Sequence, residues 1–168
     1  MIKHEHIDSL ERILQELLTL HEQLVSLAGH HRQALRSADG PAITAISLER
    51  DGVNERIMHL NDSRLTLTTQ IAESLGTRAT EVTVRSVIAA LEPRRAASLV
   101  TLADALKGAI EATRCEHSVL RDATAAFAGH LGGVLNLAVE MCAPARTYTA
   151  TGRMATASTL PSALDVRH

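Results

Sequence analysis

The chain has 168 residues, a net charge of −2 and an apolar fraction of 45 %, which suits one domain, or one domain and a tail, with an ordinary core. That charge leaves no electrostatic footprint for nucleic acid or an anionic membrane. Phe127 and Tyr148 are the only aromatic residues, so the rings that a base-stacking platform or a sugar-binding cleft requires are missing.

Leu, Ala, Val and Ile must then fill the core, which favours helix–helix packing. Cys115 and Cys142 have no CxxC spacing and read as reduced thiols in a cytosolic protein. The opening MIKHEHIDSLERIL lacks the apolar run of a signal peptide. The run Leu131–Met141 is too short to span a membrane, which takes about 20 residues, and it carries Asn136 and Glu140. The expectation is a soluble cytoplasmic protein without membrane insertion.

The first element is set by Ile7, Leu10, Leu14, Leu17, His21, Leu24, Ala28, His31 and Leu35. Their alternating steps of three and four make a coiled-coil seam. It predicts a helix from His6 to Arg36, about 45 Å long at 1.5 Å per residue. Ile13, Leu18, Leu20 and Leu27 widen the apolar surface, so this helix should touch more than one neighbour. His21 and His31 are the soft points of the seam, where a third helix or solvent should reach it.

Ser37-Ala38-Asp39-Gly40-Pro41 is a turn. Gly suits a left-handed helix end, Pro suits the first turn of the next helix, and so short a connection makes the next helix antiparallel. That second helix is predicted over 42–75. Its ladder is Ile43, Ile46, Arg50, Val53, Ile57, Leu60, Arg64, Leu67 and Ile71. Arg50 and Arg64 interrupt it and are expected at the seam's edge, stems packed and guanidinium groups in water. Gly52 suggests a bend or a close crossing, and Gly76 a stop.

A short third helix with Thr80 as its cap, or an ordered loop, is expected over 80–91; its β-branched residues also suit a strand, but no second strand candidate exists to pair with it. Pro93 then breaks or kinks the chain. A fourth helix follows over 94–142, on a ladder from Leu99 through Leu106, Ile110, Thr113, His117, Leu120, Phe127, Leu131, Val134 and Leu137 to Met141. A helix of about 70 Å outruns a 45 Å hairpin, so it must overhang, bend or break, and Gly129, Gly132 and Gly133 are where a break is expected. Residues 146–168 have no usable period and read as a flexible tail. The fold class is therefore all-α: a long antiparallel helical hairpin or coiled coil packed with a long C-terminal helix, over residues 1–145, with the tail at 146–168.

Chemistry is hard to find. Nine histidines invite a metal, but His30 and His31 point about 100° apart on a helix. Glu55, His59 and Asp62 share a polar face, and no ExxH motif is present. The Gly129–Gly133 run follows a helical pattern rather than a strand, so it is no phosphate loop. No nucleophile is paired with a base. The expectations are no enzyme activity, no metal and no cofactor; what remains is a surface for binding other helices.

LERILQELLTLHEQLVSLAGHHRQAL, the Asp39 turn, and LNDSRLTLTTQIAESLG closed by Gly76 together resemble FlgN-type flagellar export chaperones. RTYTATGRM is similar to the Tyr-x-x-x-Gly segment after that family's last long helix, with Tyr148 and Gly152 in place. The chain departs from the family where an Asn-rich stretch often lies, here Arg114-Cys115-Glu116-His117. The resemblance implies a non-catalytic cytoplasmic chaperone, monomeric or weakly dimeric. It would hold the C-terminal helical segments of hook–filament junction (hook-associated) proteins and hand them to the flagellar export gate. Tyr148 is then the expected gate-docking residue. For the client, the apolar face of the fourth helix is expected: Phe127, Leu131, Val134 and Leu137. The alternative is a homodimeric coiled-coil adaptor without export clients.

Overall fold

In the computed structural model, residues 4–142 are described, the last of them by its backbone alone. They form α1 (His4–Arg36), α2 (Gly40–Leu75), a 3-10 turn (Ala79–Glu81), α3 (Val84–Ala89) and α4 (Pro93–Cys142). No strand occurs among the described residues. The chain divides into two units, Met1–Phe127 and Ala128–His168, and α4 contributes residues to both. The expected tail at 146–168 lies outside the described residues.

In the first unit α1 is the central helix. Eight of its nine seam residues are buried, and so are Ile13, Leu20 and Leu27. An apolar stripe that wide needs a neighbour on more than one side. The side-chain partners show which neighbours these are. Leu20, Leu24 and Leu27 pack with Val53, while Ile7 and Leu10 pack with Leu67 and Ile71, so α1 and α2 run antiparallel. With α4 the numbering rises on both sides: Asp8 pairs with Arg95 at 3.0 Å, His21 meets Thr113 at 3.2 Å, and Arg32 pairs with Glu116. α4 is therefore parallel to α1, and Leu99 and Leu106 complete the largest cluster. The exposed Asp8–Arg95 pair adds at most about 1 kcal/mol; the buried leucines hold α4 in place.

Local signals set the element ends, in several cases differently from the sequence expectation. The left-handed residue of the first turn is Ala38, at φ 51°, and Gly40 opens α2. Asp39 decides this. Its carboxylate accepts from the Ala42 N–H at 3.0 Å, so it must be the cap, and the reversal falls one residue earlier. Gly76 does end α2 in the left-handed region, φ 69°. The cap of α3 is Thr83 rather than Thr80, because Thr83 and Ser86 bond each other's backbone N–H reciprocally at 2.9 and 3.1 Å.

Pro93 opens α4 instead of kinking a helix, since the first turn needs no N–H from it. The expected break at Gly129, Gly132 and Gly133 does not occur; α4 is helical through all of them. Gly52 marks no close crossing either, since a Cβ there would meet nothing within 4 Å. The α2 ladder is buried only in part: Val53, Leu67 and Ile71 are in the core, while Ile43, Ile46, Ile57 and Leu60 are half-buried. α2 lies to one side of α1 and so buries a narrower stripe.

Candidate functional site

Two surfaces and one buried polar cluster stand out. In the second unit every residue from 128 to 141 is exposed except Gly132, which is half-buried. At 100° per residue, Leu131, Val134, Leu135, Ala138 and Met141 fall within an arc of about 120°. Leu137 and Val139 flank that arc, and Gly129, Gly133, Asn136 and Glu140 occupy the opposite side. Leu131 is 46 % exposed, Leu137 61 % and Met141 86 %. Contiguous apolar exposure of this kind is more than ordinary scatter.

Of the residues singled out from sequence, Leu131, Val134 and Leu137 lie on this helix and are exposed. Phe127 lies in the first unit, half-buried beside Ala28, Leu35 and Leu120, with Ile43 against the same cluster. Its ring closes the core near the α1–α2 turn. Tyr148 lies outside the described residues.

The polar cluster sits where the seam was expected to be soft. The His21 ring lies 3.2 Å from the Thr113 hydroxyl, which also reaches the carbonyls of His21 and Ala109. α4 thus does reach the seam at that point. Burial holds His21 below the ordinary histidine range. His31, 6 % exposed, faces Arg50 with Nη1 3.5 Å from its Nδ1. A guanidinium only donates, so that contact requires an unprotonated Nδ1. Burial, and after it the Arg50 charge, depress both His31 and His117. These are neutral, packed histidines. Glu55, His59 and Asp62 are exposed on α2, and among the described residues no group of three or more His, Cys, Asp or Glu side chains could hold a metal ion.

The second surface escaped sequence reasoning. A cavity of about 60 Å³ among α1, α2 and α3, and cavities of about 420 and 920 Å³ between α2 and α4, lie in the first unit. Leu14, Arg64 and Val84 border the first two, and Arg114 borders the second and third, so they succeed one another along one groove. Its signal in the sequence was the interruption of the α2 ladder by Arg50 and Arg64. The matching cations on α4 lie some 50 residues away, and only the packing brings them opposite.

No described helix is long and apolar enough to cross a membrane. Against known families, the model described as FlgN protein matches residues 1–156. No curated protein and no solved structure matches the chain.

Proposed function

This chain belongs to the FlgN family, one of flagellar export chaperones, and we propose that within that class it binds the C-terminal helical segments of hook-associated proteins. In this reading it works in the cytoplasm without catalysis. It covers the apolar assembly face of its client, prevents premature assembly, and passes the client to the export gate. The observation that carries the reading is the exposed apolar arc of Leu131, Val134, Leu135, Ala138 and Met141, flanked by Leu137. An amphipathic client helix laid on it would be a substitute for the client's own assembly partner.

Magnitudes agree with a releasable complex. Leu131 and Val134 keep about half of their surface exposed, Leu135 65 % and Met141 86 %. Docking would therefore contribute roughly 1–2 kcal/mol per side chain, half of full burial or more, before ordering costs. A handful of such anchors supports binding that can be undone at the gate. Tyr148 is the gate-docking residue. Residues 1–145 then act as the holding domain and 146–168 as the delivering segment, with the chain monomeric or weakly dimeric.

The test is a pull-down and a titration with the C-terminal helical fragment of a junction protein. Leu131→Asp with Val134→Asp should abolish a stoichiometric complex while helicity by circular dichroism is retained. Tyr148→Ala should leave fragment affinity unchanged and impair motility. An obligate elongated dimer by light scattering, with no complex formed, would favour the coiled-coil adaptor instead.

A further inference from the structure

The groove between α2 and α4 has an unusual charge pattern. Arg50 and Arg64 line it from α2, and Lys107, Arg114 and Arg121 from α4, against the single carboxylate of Glu111. Among the described residues none of Arg50, Arg64, Lys107 and Arg114 is ion-paired; Arg121 touches its neighbour Asp122 at 3.4 Å. The chain as a whole carries −2, so this positive strip is local. Beneath it the lining is mainly apolar in the first half, with Leu14 and Leu17 of α1 and Leu106 and Ile110 of α4, and more polar beyond, where Thr113, His117, Ser118 and Thr124 accompany Leu120.

We propose that this groove binds an amphipathic helix of a partner protein, with Asp and Glu flanking its apolar side. The lining on α4 extends from Ala103 to Ala125, about 33 Å at 1.5 Å per residue, which is the length of a helix of about six turns. Arginines along both rims of a trough that is apolar over its first half offer bidentate partners to carboxylates spaced along such a helix. The trough is lined by no Phe, Tyr or Trp ring of the kind on which successive nucleic-acid bases stack. The chain's own segment after Cys142 has Arg146, Arg153 and Arg167 against Asp165, the wrong charge for this strip. That the partner is an export client rests on the preceding reading; the preference for an acidic helix does not, and the groove is distinct from the Leu131–Met141 face.

The test uses the full chain and two labelled peptides of about 22 residues, both with Leu at the a and d positions. One has Glu at e and g, the other Lys. Fluorescence anisotropy should show the Glu peptide binding at least about tenfold tighter, with the difference shrinking as salt rises from about 0.05 to 0.5 M. Arg64→Glu with Arg114→Glu, both exposed positions, should reverse the preference, and Arg64→Ala with Arg114→Ala should remove it. Equal binding of the two peptides, or a preference that survives both arginine variants, overturns the proposal. So does duplex DNA displacing the Glu peptide, or a self-associated dimer that the arginine variants dissolve. A junction-protein fragment is titrated in parallel. If it fails to bind while the Glu peptide behaves as expected, the client reading falls and the groove stands.

Discussion

Leu99→Ala is the sharpest test of how α4 is held against the α1–α2 hairpin. Leu99 is 0 % exposed and sits in the cluster with Ile7, Leu10, Leu67, Ile71 and Val87, a cluster to which α1, α2 and α3 all contribute. The substitution removes about three methylene equivalents, roughly 2.4 kcal/mol of transfer free energy. The cavity left behind adds to that, because three rigid helices cannot collapse fully into it. The total should be about 3–5 kcal/mol. In urea, at about 2 kcal/mol per M, the midpoint should fall by about 1.5–2.5 M. Leu137→Ala, at a position 61 % exposed, should stay within about 0.5 kcal/mol of the parent. A Leu99→Ala loss below about 1 kcal/mol, or a loss no larger than that of Leu137→Ala, would refute the packing of α4 on the hairpin described above.

Asp39→Ala removes the cap of α2 and should cost about 1 kcal/mol, read by thermal unfolding, whereas Asp39→Asn should restore most of it. Gly52→Ala should stabilise by about 0.5–1 kcal/mol, since a Cβ there meets nothing within 4 Å and α2 gains helix propensity. Stability should also depend on acid through His21, His31 and His117. Each is held below its ordinary value of 6.5 in the fold, so the unfolded chain takes up protons first. Stability is then full above about pH 6.5 and falls as the pH drops below it, levelling only once the folded-state values are passed. Arg50→Gln should lessen the effect at His31 and His117, where its charge contributes second to burial, and leave His21 as it is; denaturant melts at a series of pH values would show this.

Much of the fold is legible along the chain because helix period and short connections are local properties. The seam from Ile7 to Leu35, its widening by Ile13, Leu20 and Leu27, and the turn at Asp39 fix an antiparallel hairpin whose first helix needs a further neighbour. The same reasoning misplaced individual ends. Thr80 and Thr83 are both good caps by type, and only Ser86, bonding back to Thr83, selects between them. Gly129, Gly132 and Gly133 looked like a break because glycine weakens a helix by up to about 1 kcal/mol per residue, yet α4 continues through them.

The candidate surfaces divide in the same way. The apolar residues at 131, 134 and 137 belong to one stretch of one helix, so a helical wheel already places them near one another. By itself the sequence determined the helices, their order and the amphipathic character of the last one, since each follows from spacing within about a dozen residues. The tertiary structure alone decided that Phe127 closes the hairpin core, that Arg50 turns toward His31, and that α2 and α4 leave between them a groove lined by Arg64 and Arg114. Those outcomes depend on which faces of three separate helices meet, and residues some 50 positions apart in the chain carry no local signal of one another.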